Sequence, residues 1–356
     1  MVLILVLTSC GTLLTLLNSL TMRVVRNRDS AYVSQSISIL VPMRNEESNV
    51  DGVVTSIQAS RNLALWSLTA LDDSSSDATL QKLEKNGVTA LHGTELPEGW
   101  LGKNWACWQL AQETDGEYLV FLDADVRIAP DAIASSITLM KKLEWDFISP
   151  YPRQVARTFL ERIFQPLLQW SWLASVPLRL AERLGISSMT IANGQFLIIK
   201  RSAYEAIGGH KTIRGQVLDD LRITRALIDS GFRGGVADAS EVASCRMYDS
   251  AVDLVNGYTK SLWTAFGGVF GTLFTIALLF TTQILPISLG VSGYAIGWVS
   301  FFIMSFSHAI AAIRTRGSLA NIFLHPISTL LLIALIIESI RRKNSGKLLW
   351  RERYLP

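Results

Sequence analysis

Apolar positions follow two regimes along this chain. Four stretches are apolar almost without interruption: Met1 to Met22, roughly Trp263 to Leu285, Ile287 to Ile313 and Leu319 to Ile337. About 20 such residues are enough for a helix to cross a bilayer. Between Arg23 and Lys260 charges are spread throughout, and short β-branched runs recur at Ile37 to Val41, Leu68 to Leu71, Val88 to Leu91 and Leu119 to Leu122. Helical patterns fall between them, near Glu46 to Ser60, Asp77 to Asn86 and Trp105 to Glu113. Strands alternating with helices predict an α/β domain with parallel strands. Such sheets bind ligands at the C-terminal ends of their strands. The expected organisation is a membrane anchor over 1–22, a globular domain over 36–250, a hydrophobic module over 263–340 and a basic tail over 341–356.

Charge sets the expected topology. Met1 to Met22 has no charged side chain, no basic leader and no small-x-small cleavage site, so it reads as an uncleaved anchor rather than a signal peptide. Arg23, Arg26 and Arg28 follow it, which places the domain in the cytoplasm of a multi-pass plasma-membrane protein. Arg314 and Arg316 are expected inside as well, and so is the tail with Arg341, Arg342, Lys343, Lys347, Arg351 and Arg353. With both flanks inside and His325-Pro326 interrupting the last stretch, Leu319 to Ile337 is expected to be re-entrant or interfacial; a fourth span with an external tail is the alternative. Phe159, Leu160, Ile163, Phe164, Leu167 and Leu168 have helical spacing beside Trp170 and Trp172. That pattern fits an interfacial helix and a core helix equally.

Other classes are disfavoured. Cys10, Cys107 and Cys245 are scattered, with neither metal-ligand spacing nor a disulfide framework, and packing is their default role. Basic residues gather at the membrane edges rather than on one face of the domain, which argues against nucleic acid. The apolar segments are few and nearly free of embedded acids, which argues against a transporter.

The chemistry concentrates at the predicted strand ends. Asp123-Ala124-Asp125 directly follows the run Tyr118 to Leu122. A strand keeps residues i and i+2 on one side, so both carboxylates can converge on one hard cation, Mg²⁺ or Mn²⁺, of the kind that bridges a nucleotide diphosphate. An acidic turn can also simply end a strand. Val41-Pro42-Met43-Arg44-Asn45-Glu46-Glu47 ends the first strand and opens a helix with acids, which ordinary capping would also explain. Leu71-Asp72-Asp73-Ser74-Ser75-Ser76-Asp77 ends the second, where backbone N–H groups could receive an anion, or a carboxylate the ring N–H of a base; Asp77 reads as a cap. Asp219 and Asp220, in Val217 to Leu221, stand before a helix, where N-capping and general-base roles both fit.

In this order the Pro-x-x-Asn-Glu-Glu start, the Asp-Asp-Ser-x-Ser-Asp turn and the Asp-Ala-Asp triplet resemble family 2 glycosyltransferases, over about residues 36 to 250. The resemblance implies a GT-A domain between an N-terminal membrane anchor and C-terminal transmembrane or interfacial helices. It implies a UDP-sugar donor, with Pro42, Asn45 and Glu46 on the nucleotide side, Asp73 at the uracil, Asp123 beside the nucleotide and Asp125, with Asp123, on Mg²⁺ or Mn²⁺. It also makes Asp220, with Asp219, catalytic. Displacing a nucleotide from a sugar C1 in one in-line, inverting step needs a carboxylate near the incoming O–H and a cation for the departing diphosphate.

Further segments narrow the likeness. Ile191 to Ile199 and the Gly208-Gly209 turn are similar to the family's acceptor side. Glu98 to Ala106 resembles a Trp-x-Gly-Lys-x-x-Ala loop of membrane-bound members that glycosylate carotenoid acids and of hopanoid-associated ones. There Lys103 offers a point charge to a phosphate, although Gly-Lys in a loop is often merely solvated. Arg246-Met247-Tyr248, His325-Pro326 and the tail from Trp350 to Tyr354 extend it. The implied acceptor is a membrane lipid, a carotenoid acid or related terpenoid. Tyr258 to Trp263 stands where polymerising synthases carry Gln-x-x-Arg-Trp, which speaks against that class. An ionised acid needs no general base whereas a hydroxyl does, so the Asp219-Asp220 pair leans weakly towards a hydroxyl. A prenyl phosphate or a glycerolipid or sphingolipid hydroxyl is the alternative acceptor. A catalytically silent nucleotide-binding scaffold is the alternative of another class, disfavoured by the presence of Asp125 and Asp220. Oligomeric state is not legible.

Overall fold

The computed structural model describes residues 1–248, 250–350 and 353–354. The chain opens on α1 (Val2–Thr21) and continues through β1 (Val33–Met43), α2 (Val50–Gln58), β2 (Leu63–Asp72), α3 (Thr79–Lys85) and β3 (Thr89–His92). There follow α4 (Gly102–Gln112), β4 (Tyr118–Leu122), β5 (Val126–Ile128), α5 (Ala132–Leu143), β6 (Phe147–Tyr151) and β7 (Arg153–Gln154). Next come α6 (Phe159–Ser175), α7 (Leu178–Leu184), β8 (Phe196–Lys200), α8 (Arg201–Ala206), α9 (Asp219–Asp229), β9 (Gly234–Asp238) and β10 (Ala243–Cys245). The remainder is largely helical: α10 (Ala251–Thr259), α11 (Leu262–Ala265), α12 (Val269–Leu279), α13 (Leu285–Val291), α14 (Ala295–Arg314) and α15 (His325–Asn344), before the short strands β11 (Leu349–Trp350) and β12 (Arg353–Tyr354).

These elements form two compact units, one of Arg23–Arg153 and Leu180–Arg246, the other of Met1–Met22, Gln154–Arg179 and Met247–Pro356. The first is built on a seven-stranded mixed sheet of order β3-β2-β1-β4-β8-β6-β9. Strands β1 to β4 pair in parallel, as their alternation with helices predicts. All five residues of β4 are buried, the continuous apolar run that a strand covered on both faces requires. Strand β8 then enters antiparallel between β4 and β6. Leu40, Leu71, Leu110, Leu119, Phe121, Phe147, Leu197 and Ile199 share one core cluster against this sheet. Burying each such side chain fully is worth about 1.5–3 kcal/mol. The polar ends of β1, β2 and β4 are thereby held on a rigid platform.

In the second unit, four helices are long and apolar enough to cross a membrane: Val2–Thr21, Val269–Val291, Ala295–Arg314 and Ile322–Asn344. Their composition supports membrane association. Large apolar side chains such as Phe270 and Phe274 stand exposed on α12. The apolar stretch from Leu319 is interrupted at His325-Pro326, where α15 begins, and Pro326 occupies its first turn, where its missing N–H leaves no bond unmade. Helix α6 starts with a capping box between Thr158 and Glu161 and packs against α1, α14 and α15. Polar groups tie this packing together. Asn18 donates to the carbonyls of Leu173 and Val176 at 2.8 and 2.7 Å, and the Trp170 indole donates to the Ser307 hydroxyl at 2.8 Å. Arg351 and Glu352 of the tail motif lie outside the described residues.

Candidate active site

The loops that leave β1 and β2 are stitched to each other. Pro42 is in parallel register with Leu71, and the Asp73 amide donates to the Met43 carbonyl at 2.8 Å. Asn45 takes a left-handed conformation, φ 52°, which asparagine tolerates better than most residues. Its side-chain oxygen accepts the Ser76 amide at 2.8 Å while its own amide donates to the Ser75 hydroxyl at 2.9 Å. The Glu46 amide donates to the Thr79 hydroxyl at 2.8 Å, and the Glu46 carboxylate accepts from the Asn49 side chain at 2.8 Å. Asp77 accepts the amides of Glu47 and Thr79, both at 3.0 Å. Asp73 is buried at the rim of this arrangement.

Lys103 is the hub of the next cluster. It sits in the first turn of α4 rather than in a loop, a position where the helix dipole disfavours a cation. Carboxylates offset that cost. Its Nζ lies 2.8 Å from Asp123 Oδ1 and 3.4 Å from Asp219 Oδ2. Burial by itself would depress the Lys103 pKa, but the charges of Asp123 and Asp219 outweigh it and hold the ammonium well above the usual lysine range. The Asp123 amide donates in turn to the Gln195 carbonyl at 3.0 Å, which locks the end of β4 to the start of β8.

Asp219 and Asp220 open α9. Asp220 accepts the Gly194 amide on Oδ2 at 2.8 Å and the Leu221 amide on Oδ1 at 2.7 Å. Burial, then the adjacent Asp219 charge, pushes its pKa up to about 6, against the pull of these backbone amides and of Lys103. Asp220 is thus both anchored to the main chain and poised to take a proton near neutral pH.

Asp125 has the other signature of a working carboxylate. Burial, followed by the charges of Asp123 and Glu46, raises its pKa to about 7. Its Oδ1 is buried and has no hydrogen-bond partner among the described residues. A carboxylate oxygen left bare among like charges is the arrangement that a divalent cation completes. Among the described residues, no group of three His, Cys, Asp or Glu side chains could hold a metal by itself. That donor set fits an ion held by one or two carboxylates, with the remaining positions filled by diphosphate oxygens and water, as is usual for Mg²⁺.

Several residues that shape this site carry no motif. A Cβ at Gly194 would lie 3.2 Å from Asp220 Cβ and 3.4 Å from Lys103 Nζ, so glycine there lets the carboxylate close on the backbone. Asn104 is buried, and its Nδ2 lies 2.9, 3.1 and 3.0 Å from the carbonyls of Ile213, Arg214 and Gln216, clamping the segment that leads into α9. Cys245, expected only to pack, is buried beside Asp125, and burial, followed by the Asp125 charge, pushes its thiol well above the usual range. His210 is buried against the Tyr204 hydroxyl at 2.9 Å, and burial lowers its pKa to about 4, so it packs beside the Gly208-Gly209 turn as a neutral ring.

Comparison with known proteins accords with this geometry. Residues 38–208 match the family described as Glycosyl transferase family 2. The chain is 22% identical over 333 residues to 4,4'-diaponeurosporenoate glycosyltransferase of Staphylococcus aureus strain USA300, an alignment covering 90% of this chain and 88% of that protein. It is 24% identical over 243 residues to the protein of the same name from Staphylococcus haemolyticus, covering 64% of this chain and 61% of that protein's length. In fold it is similar to the mannosyltransferase PcManGT from Pyrobaculum calidifontis, solved in complex with GDP-Man and Mn²⁺. The TM-score is 0.56 at 16% identity, over 96% of this chain and 98% of that one. Residues 38–208 are a glycosyl transferase family 2 domain of GT-A fold, and the chain that carries it is a glycosyltransferase.

Proposed function

We propose that this enzyme transfers a single sugar, with inversion and with a divalent cation, from a UDP-sugar to a membrane lipid, a carotenoid acid or related terpenoid being the leading acceptor. The observation that carries the reading is the convergence of Lys103, Asp123, Asp219 and Asp220. Lys103 links the carboxylate of the donor side to the carboxylate pair at the head of α9. The names of the staphylococcal relatives support a carotenoid-acid acceptor, and the four apolar helices support a lipid one.

In this reading Pro42, Asn45, Glu46 and Asp73 form the nucleotide side, and Asn45 and Glu46 act chiefly by fixing the loops that cradle it. Asp125, with Asp123, would hold Mg²⁺ or Mn²⁺, whose charge neutralises the departing diphosphate. Asp220 takes the proton of an incoming hydroxyl, or orients an acceptor that arrives already ionised. Asp219, held by Lys103, keeps negative charge beside it. The globular domain, 36–250, works in the cytoplasm, tethered by the anchor over 1–22 and the hydrophobic module over 263–340, with the basic tail over 341–356 also inside.

The test is incubation of membranes expressing the chain with radiolabelled UDP- and GDP-sugars, followed by lipid extraction. Label from a UDP-sugar in a lipid supports the proposal, and its release by hydroxylamine identifies an ester to a carboxylic acid rather than a glycoside. Label from a GDP-sugar alone would replace the donor assignment.

A further inference from the structure

Ser149 is fully buried in β6, one residue beyond the point where that strand pairs with β8 through Phe147 with Ile199 and Ile148 with Ile198. Its hydroxyl reaches past this ladder to Asn193, accepting the Asn193 amide at 2.7 Å and donating to the Asn193 carbonyl at 3.2 Å. One side chain thus holds both backbone polar groups of Asn193. The Asn193 side-chain oxygen accepts the Gln195 amide at 2.8 Å, closing a tight turn around Gly194. From this turn the Gly194 amide donates to Asp220 at 2.8 Å, and the Gln195 carbonyl accepts the Asp123 amide at 3.0 Å. Gln195 has further support, because the next residue, Phe196, is already in register with Leu122 of β4. Gly194 precedes that ladder, so its direction depends on the bonds between Ser149 and Asn193.

We propose that Ser149 is a positioning residue for Asp220: its hydroxyl fixes Asn193 so that the Gly194 amide is aimed at the Asp220 carboxylate. The inference rests on the role of Asp220 proposed above and adds a residue to it. Asp220 also accepts the Leu221 amide, but that bond lies within α9 and moves with it, whereas the Gly194 bond ties the carboxylate to the sheet. Without the hydroxyl the Asn193 amide loses its acceptor, and a buried N–H left unpaired is costly enough that the turn shifts to relieve it. A shift of about an ångström at a reacting group can cost up to about 100-fold in rate. Serine is neutral, so its loss leaves the charges of Lys103 and Asp219 beside Asp220 in place, and the effect is one of geometry.

The experiment measures the maximal rate and the donor KM for transfer from a radiolabelled UDP-sugar into lipid, in membranes expressing the native full chain, Ser149→Ala or Asp220→Asn. Hydrogen–deuterium exchange on the solubilised proteins accompanies it. The expected result for Ser149→Ala is a maximal rate about 10- to 100-fold lower, a donor KM within about twofold of native, and faster amide exchange in the segment 193–195 with the rest of the sheet unchanged. A native-like rate in Ser149→Ala, with transfer lost in Asp220→Asn, overturns the positioning role and leaves the reading of Asp220 standing. A donor KM that rises in step with the loss of rate also overturns it, because the hydroxyl would then serve the donor side. Faster exchange throughout the sheet overturns it as well, since Ser149 would then support the fold at large. Transfer absent from the native chain, or undiminished in Asp220→Asn, overturns the reading of Asp220, and this inference with it.

Discussion

The Gly194 amide donates to Asp220 at 2.8 Å, and a Cβ at Gly194 would stand 3.2 Å from Asp220 Cβ, close enough that Asp220 must give by a few tenths of an ångström. In Gly194→Ala the new methyl presses on Asp220 Cβ and comes into contact with Lys103 Nζ. Misplacing a reacting group by a fraction of an ångström to an ångström can cost up to about 100-fold, so kcat is expected to fall about 10- to 100-fold. The melting temperature should change little. Parallel transfer assays and thermal melts check the separation.

The raised Asp220 pKa, about 6, has a sign that activity reports. A general base works only when ionised, so with a hydroxyl acceptor the proposed role of Asp220 predicts a rate that falls about tenfold per pH unit below about 6 and levels off above it, whereas an acceptor already ionised shows no such dependence on Asp220. The same shift makes ionisation harder in the folded than in the unfolded chain. Between the unfolded carboxylate pKa and about 6 the folded state therefore holds the extra proton, and its contribution to stability declines as pH rises through that window. Asp220→Asn should remove most transfer, by about 100- to 10,000-fold, and abolish the acid limb of what remains.

Removing the ammonium at the hub tests the link between the two carboxylate groups. Lys103→Met leaves Asp123 and Asp219 without their shared counter-ion, and the donor KM is expected to rise about tenfold or more. Lys103→Arg should recover part of this loss, because the charge returns with a different reach. Steady-state kinetics against donor concentration distinguish the two variants.

Asn104→Ala leaves the carbonyls of Ile213, Arg214 and Gln216 without their shared donor. The Ile213 and Arg214 carbonyls keep the amides of Gln216 and Leu101 as donors, so the loss is expected at the low end of the range for an unmade hydrogen bond, about 1 kcal/mol. We expect a measurable drop in the urea midpoint, with transfer lost in proportion to disorder of the segment entering α9.

What the sequence made legible follows from which physics is local. The five apolar residues of β4 with Asp123-Ala124-Asp125 behind them announce a buried strand with carboxylates at its end, and β1 to β4 are parallel as the alternation predicts. Strand β8 reads as apolar but not as antiparallel, since direction is decided by pairing partners distant in sequence. The start of α4 was placed at Trp105, yet the helix begins at Gly102, because the apolar pattern of a helix does not mark its first turn. That shift changes Lys103 from a loop residue into one aimed by a helix. Pro326 marks a break that the structure contains, because a proline is accommodated at a helix start and not in its interior. Cys245 was legible only as a packing residue: its relation to Asp125 depends on β10 lying against β5, which no local pattern encodes.

The most direct test of the central claim measures transfer of radiolabelled sugar from a UDP-sugar into the lipids of membranes expressing the native chain, Asp125→Ala or Asp220→Ala, with and without a chelator. The account predicts lipid-bound label with the native chain, lost on chelation and absent in both variants. Transfer that persists in both variants would contradict it.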